Sequence, residues 1–281
     1  MSVSLTSALK SLLALKRPAP VPSPPLQPLF ALFNATRSEA VANNAPNGWL
    51  VLSTSTLVAA NVPDAIPHLY TFATRDKDVK SRVADAELMR ETGLKCAEFI
   101  GVPRSIIGLT SLHSAFEDDV KAQLRTQSLR TLRPDTADAF VQSGRQLWDS
   151  VYHPHHEKLL AKLDSFHPDF AAFVINGYGN LLAPLDLPPD SPGTVGRTLT
   201  SVLGVAALRA EEGVGPQLTS HVFGLLKARN WPVKTVEDEW LSSDVGAEWV
   251  LKTIDRYTEL IRGEDQPAFT GSNAETKKGN K

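Results

Sequence analysis

His221 is the histidine whose setting best suits proton transfer. It lies in the middle of a predicted helix, beside a stripe of apolar residues that includes Leu218 and Val222. Partial burial moves the pKa of an imidazole across the neutral range, which makes histidine a common general acid or base. The alternative is a hydrogen-bonded histidine of the core, and the sequence leaves both interpretations open.

Glu91 is the candidate carboxyl partner for this histidine. Glu87, Arg90, Glu91 and Lys95 follow one another at helical spacing. Such a line of charges usually forms a solvated face whose ion pairs contribute little to stability. A glutamate turned inward toward a histidine would act instead as its acid–base partner, and the sequence alone does not orient it.

The cluster His153-Pro-His155-His156-Glu157 has the residue types of a metal site but not the spacing. Neighbouring positions on a helix point about 100° apart, so His155 and His156 cannot chelate one ion together. His156-Glu157 begins an HExxH-like motif, but Leu160 stands where the second histidine belongs. We therefore expect no metal site here, and a solvated helix start is the favoured interpretation.

Cys96 is the single cysteine of the chain. One thiol excludes an intramolecular disulfide, a dithiol redox pair within the chain and a cysteine-built zinc site. A reactive thiol needs a cationic or helix-N-terminal setting, and Lys95 alone gives weak support. A buried structural cysteine is the favoured interpretation.

These residues must be positioned by helices, because the apolar residues recur mainly with helical spacing. The predicted helices cover residues 82–100, 134–152, 159–163, 168–174, 198–209, 216–230 and 236–261. Residues 49–60 are apolar and rich enough in β-branched side chains for a strand, but no partner strand with hairpin chemistry lies nearby. Residues 185–196 are rich in proline and glycine and are predicted to form a loop. The sequence therefore predicts an all-α protein.

The two ends of the chain differ from the rest in composition. Residues 1–28 contain basic residues but no acidic ones, and their leucines fall on one helical face. This pattern is typical of a mitochondrial transit peptide. The segment ends in a stiff proline-rich linker. The alternative is an ordinary first helix docked on the core. Residues 263–281 are polar and predicted to be a disordered tail. We expect one compact domain at residues 29–262 and a mitochondrial location, with the cytoplasm as the alternative.

The charge balance and the apolar runs exclude two classes of partner. The 281 residues carry 29 basic and 31 acidic side chains, for a net charge of −2. This balance lacks the broad positive footprint of a nucleic-acid-binding protein. No stretch approaches about 18 uninterrupted apolar residues, so we expect no membrane span.

Several motifs occur in an order that points to a known family. They are Ala86–Lys95 running into Ile100–Leu109, Gly144–Tyr152, Pro168-Asp-Phe with Tyr178-Gly179, and Pro216-Gln-Leu followed by His221, Gly224 and Leu226. Over most of residues 45–260 the chain resembles the alkyl hydroperoxidase D / carboxymuconolactone decarboxylase family, in particular its long fungal members. The resemblance implies a compact all-α fold, two pseudo-repeated units at about residues 29–133 and 134–262, and a homo-oligomer.

The redox motif of that family is degenerate in this sequence. The family helix carries Arg-Glu, then Cys-x-x-Cys, then a histidine. In the first half Arg90-Glu91 matches, but the cysteine positions hold other residues. In the second half His221 matches, with Val214 and Gln217 at the cysteine positions.

The missing cysteines redirect the expected chemistry. Peroxide reduction in this family needs two sulfurs, whereas its decarboxylase branch relies on proton transfer by ionisable residues. We therefore expect, if the chain is an enzyme, cysteine-independent and lyase-like chemistry on a small organic acid or lactone, with no cofactor. Glu91 and His221 would meet across the two halves as acid and base, and Gln217 and Arg90 would bind the substrate. The alternatives are a non-catalytic helical scaffold or interaction subunit, and a residual thiol oxidoreductase acting through Cys96.

Overall fold

The computed structural model describes residues 3–15, 19–185, 187–188, 191–232 and 234–263, which form helices joined by loops. No strand occurs among these residues, so the predicted all-α class is confirmed. The α-helices are α1 (Ser7–Leu15), α2 (Leu26–Ala42), α3 (Pro46–Ala59), α4 (Ala65–Thr74), α5 (Val79–Lys95), α6 (Ala97–Ile100), α7 (Val102–Ala115), α8 (Asp118–Lys121), α9 (Ala137–Tyr152), α10 (His156–Phe166), α11 (Phe170–Gly177), α12 (Arg197–Glu211), α13 (Gly215–Lys227), α14 (Val236–Leu241) and α15 (Asp244–Arg262). A π-helical segment (Tyr178–Leu182) follows α11, and a 3₁₀ turn (Ala228–Asn230) follows α13.

Helix α3 lies at the centre of the larger hydrophobic core. It begins at Pro46, whose fixed φ suits the first turn, and every residue from Gly48 to its end is buried. Two of its buried hydroxyls have partners in other helices: Ser53 Oγ lies 2.7 Å from Tyr257 Oη, and Ser55 Oγ donates to the carbonyl oxygen of Leu203 at 2.9 Å. Thr54 Oγ1 has no hydrogen-bond partner among the described residues. A helix buried on all sides has no amphipathic period, which explains why the sequence of residues 49–60 also allowed a strand.

Two hydrophobic clusters divide the chain differently from the predicted halves 29–133 and 134–262. The larger cluster combines buried residues between positions 29 and 124 with others between positions 195 and 257. The smaller cluster lies between positions 147 and 183, on α9, α10 and the π-helical segment. Phe99 packs against both clusters, so α6 lies where they meet.

Several predicted boundaries move in the structure. The compact part begins with α2 at Leu26 rather than at residue 29. The predicted helix 82–100 is divided into α5 and α6. The predicted helix 236–261 is interrupted after Leu241, where the Ser243 hydroxyl accepts a hydrogen bond from the backbone of Gly246 and caps α15.

Helix α1 stands apart from both clusters, because none of its residues is buried. Leu9, Leu12 and Leu13 expose about half of their surface or more. The structure therefore does not show the alternative arrangement, in which the first helix docks on the core. Residues 264–281 of the predicted tail, which begins at residue 263, lie outside the described residues. Within the described part of the chain, no helix has both the length and the apolar character needed to cross a membrane.

Candidate functional site

His221 lies where three elements meet. It projects from α13, is only 6% exposed, and its Nε2 atom lies 3.1 Å from Tyr152 Oη and 3.5 Å from Tyr178 Oη. Tyr152 ends α9 and Tyr178 begins the π-helical segment, with 3.0 Å between their hydroxyl oxygens. Phe99 of α6 packs edge-on against the imidazole, with ring centroids 5.1 Å apart. The three polar groups therefore form one buried hydrogen-bonded cluster, which we call the Tyr–Tyr–His cluster.

Gly204 of α12 gives the imidazole its space. A Cβ atom at this position would lie 3.0 Å from His221 Nδ1 and 3.0 Å from the tip of the Phe99 ring. Such contacts are tighter than most real Cβ contacts, so a larger residue would push the histidine or the phenylalanine away. Glycine at this point lets α12 approach the cluster closely.

The Tyr–Tyr–His cluster is uncharged at neutral pH. Burial, reinforced by the positive charge of Arg197, lowers the pKa of His221 to about 4. Burial also raises the pKa of both Tyr152 and Tyr178. Neutral imidazole and phenol groups can hold hydrogen bonds in place, but an imidazole with this pKa is a weak base at pH 7.

Arg197 begins α12 and is a cation held inside the protein, with 3% of its surface exposed. Its Nε donates to Ser150 Oγ at 2.7 Å, and its Nη2 donates to the carbonyl oxygens of Gly224 at 2.9 Å and Ser150 at 3.3 Å. No carboxylate pairs with it among the described residues. Burial lowers the pKa of Arg197 to about 10, so it remains charged at neutral pH.

Glu98 of α6 is a carboxyl group that lines a cavity. The cavity has a volume of about 410 Å³, and its wall includes Phe140, Phe173 and Asn180. A Cβ atom on Gly177 would lie 2.6 Å from either carboxylate oxygen of Glu98, so the glycine makes room for the carboxyl group. Within the described parts of the chain, Glu98 forms no hydrogen bond or ion pair.

The pKa of Glu98 is raised to about 7 by burial. After burial, its negative charge is a further cause that raises the pKa of Tyr152 and of Tyr178. A carboxyl group with a pKa near the working pH can both accept and donate a proton. This arrangement could perform proton transfer on a molecule in the adjoining cavity.

Glu91 lies elsewhere, in a buried ion network. Arg130 donates to both carboxylate oxygens of Glu91, with 3.1 Å between Nη1 and Oε2, and Lys95 Nζ lies 3.9 Å from Oε1. Lys95 is fully buried and donates to the carbonyl oxygens of Leu182 at 2.8 Å and Val195 at 3.1 Å. Burial lowers the pKa of Lys95 to about 7. The structure therefore gives Glu91 a partner other than His221, and the predicted hydrogen-bonded pair is not formed.

The two predicted substrate-binding residues also lie apart from the cluster. Arg90 donates to Glu87 Oε1 at 2.9 Å and reaches the carbonyl oxygen of Arg125 at 3.4 Å. Gln217 is exposed in the first turn of α13. Neither side chain has a described hydrogen bond to His221 or to Glu98.

Cys96 and the histidine-rich segment complete the predicted candidates. The Cys96 thiol is fully buried and donates to Ser55 Oγ at 3.4 Å, and burial raises its pKa to about 12. A reactive thiol requires the opposite environment. The His153 and His156 rings stack with centroids 5.4 Å apart, and no group of three metal-ligating side chains occurs in the part of the chain that the structure describes.

Four residues of the site are not predicted from the sequence: Glu98, Tyr152, Tyr178 and Arg197. Both tyrosines fall within motifs that carry the family resemblance, and this is the available signal. No local sequence pattern identifies Glu98 or Arg197, because their roles depend on burial and on residues distant in sequence.

No family model matches the chain. A yeast protein, Peroxisomal protein 2 of Saccharomyces cerevisiae, is 24% identical over an alignment that covers 69% of this chain and 87% of the yeast protein. No solved structure matches. The chain is therefore distantly similar to a protein whose name states a location and not a reaction.

Proposed function

We propose that the chain is an alkyl hydroperoxidase D / carboxymuconolactone decarboxylase-like protein that performs proton transfer without thiols, on a small organic acid or lactone. The observation that carries this proposal is the carboxyl group of Glu98, which faces a cavity, is half-buried and has no described partner. The order of the motifs and the all-helical fold support the family, and the buried Cys96 favours a mechanism without sulfur.

In this proposal Glu98 replaces Glu91 as the acid–base residue. Its pKa of about 7 gives comparable amounts of acid and base at neutral pH, which suits a group that removes a proton and returns it. Tyr152, Tyr178 and His221 would support this part of the fold and would not touch the substrate, because their hydroxyl and imidazole groups bond to one another and none of the three lines the cavity.

The test is the isomerisation of a β,γ-unsaturated γ-lactone, α-angelica lactone, to its conjugated isomer. This reaction removes one proton beside the carbonyl group and adds one at the far carbon, so it isolates proton transfer. We expect the full chain to accelerate it, with a rate that rises with pH through an inflection near 7 as Glu98 becomes the base. Glu98→Gln should lower the rate at least about 100-fold and remove the inflection.

The matched control is Glu248→Gln, which changes an exposed carboxylate that pairs with Lys252. Its rate should equal that of the unchanged protein. A rate in Glu98→Gln equal to that of the control, or a full chain no faster than buffer, would argue against the proposal.

A non-catalytic, oligomeric helical protein is the second candidate function. It is favoured by large apolar side chains that remain exposed around α9–α11, among them Phe166 at 65%, Phe173 at 68% and Val141 at 46%. If this face joins copies of the chain, light scattering should show an oligomer that Phe173→Asp dissociates. The control Val245→Asp changes an equally exposed residue on α15 and should leave the mass unchanged.

We propose a mitochondrial location, with the cytoplasm as the alternative. The exposed leucines of α1 on a segment with basic and no acidic residues support it. The yeast relative is named as a peroxisomal protein, so a third outcome has to be tested. A fluorescent fusion should lose its mitochondrial signal when residues 1–17 are removed, and a peroxisomal signal would contradict the proposal.

A further inference from the structure

We propose that a second cavity, between α9, α10 and α13, binds a small carboxylate with an apolar body. This lysine cavity has a volume of about 270 Å³. Its apolar walls are formed by Val151, Leu159 and Phe223, and its basic groups come from Lys158, Lys162 and Lys227. The site is separate from the Glu98 cavity and does not rest on the proposed function.

The basic groups of the lysine cavity have no counter-charge in its walls. Lys158 and Lys162 are one helical turn apart on α10, so they line the cavity from the same face of that helix. Lys227 comes from the end of α13, where its Nζ donates to the carbonyl oxygen of Val151 at 2.8 Å. No acidic residue lines the cavity, and none of the three lysines pairs with a carboxylate in the described ranges. Three lysines from two helices line the cavity without a described counter-charge, which favours an anion.

Arg197 does not line the cavity, but it is a buried cation bonded to the backbone next to the cavity wall. Its Nη2 donates to the carbonyl oxygens of Ser150 and Gly224, which adjoin Val151 and Phe223 in the cavity wall. Burial and the positive charge of Arg197 lower the pKa of Lys227. A buried cation without a carboxylate is costly, and an anion bound above it would offset part of this cost.

The walls select the kind of anion. Val151, Leu159, Phe223 and the side chain of Tyr152 make most of the lining apolar, which a bare inorganic ion would leave unused. The volume lies just below the range of cavities that hold drug-sized molecules, so the occupant is small. A carboxylate on an aromatic ring or a short branched chain fits these features.

The experiment is calorimetric titration of the full chain with benzoate, benzamide and inorganic phosphate. Benzamide has nearly the same shape without the charge, and phosphate has the charge without the apolar body. We expect one benzoate per chain, with binding at least about tenfold tighter than that of benzamide or phosphate, and weakened by added salt.

Variants locate the binding site. Lys158→Gln combined with Lys162→Gln changes two exposed side chains and should weaken benzoate binding at least about tenfold. Phe223→Glu, at a residue 57% exposed, should abolish binding by adding a like charge. Lys252→Gln, an exposed lysine on α15, is the control and should bind as the unchanged chain does. The proposal would be overturned if benzoate did not bind, or if benzamide or phosphate bound as tightly as benzoate. It would also be overturned if the double variant bound benzoate as well as the unchanged chain does.

Discussion

Gly144→Ala tests the packing that places the two tyrosines. Gly144 of α9 faces the start of the π-helical segment, where a Cβ atom would lie 2.6 Å from the backbone nitrogen of Gly179 and also collide with the carbonyl oxygen of Ile175. Real Cβ atoms essentially never approach closer than 3.0 Å, and ordinary contact begins at 3.4 Å. Both obstacles are backbone atoms, so no side-chain rotation relieves the overlap.

The cost follows from the displacement. Restoring ordinary contact requires α9 to withdraw by roughly 1 Å from the π-helical segment, within a cluster that is otherwise closely packed. We expect a loss of about 3 kcal/mol in the free energy of unfolding, at the upper end of what overpacking usually costs. For a chain of this size, such a loss lowers the melting temperature by about 6–12 °C.

The assay is urea and thermal unfolding, followed by circular dichroism, with Gly215→Ala as the matched control. Gly215 begins α13, and a Cβ atom there meets nothing within 4 Å. The control should be neutral or more stable by about 0.4–1 kcal/mol, because alanine restricts the unfolded chain. If Gly144→Ala were as stable as the control, the close approach of the two backbones would be refuted.

Three further predictions concern the buried polar groups. Arg130→Ala leaves the carboxylate of Glu91 buried without its main partner and should cost about 3–5 kcal/mol in urea unfolding, whereas Arg133→Ala at an exposed pair should change little. Cys96 should resist a thiol-specific reagent at pH 8 in the native protein and react fully in urea, and rapid native labelling would contradict its burial. The pKa of Lys95 is about 7 in the folded protein, against 10.5 for an ordinary exposed lysine. Above pH 7 the unfolded chain therefore binds more protons than the folded chain does. The free energy of unfolding should rise between about pH 7 and pH 9, by up to about 1.4 kcal/mol per pH unit. Lys95→Met should remove this rise, and an unchanged slope would count against the low pKa.

The helical class could be predicted wherever a helix lies at the surface of the core. In α9, Leu147, Trp148 and Val151 are buried and recur with helical spacing, so the sequence pattern and the structure agree. In α3 the same approach fails, because Ser53 and Ser55 are as buried as their apolar neighbours and no period remains. The two hydrophobic clusters could not be predicted from the division into halves 29–133 and 134–262. The larger cluster depends on the association of α3 with α12, which are far apart in sequence.

The candidate site could be predicted only in part. His221 is identifiable because it flanks an apolar stripe, which is a local pattern. Its partners Tyr152 and Tyr178 lie 69 and 43 positions away, and no spacing rule links residues at such separations. Glu91 and Glu98 look alike in sequence, and only the position of Arg130 makes one an ion-pair partner and leaves the other at a cavity.

The smaller hydrophobic cluster has a consequence for motion. A part of a protein with its own core can open cooperatively at a free energy below that of global unfolding. Tyr152 and Tyr178 belong to this part, whereas His221 lies on α13, which packs against the larger cluster. We therefore expect the amide hydrogens of α9–α11 to exchange faster than those of α3 and α12. Each opening would part the phenols from the imidazole and admit water to it, so the frequency of this fluctuation would set how often His221 meets solvent.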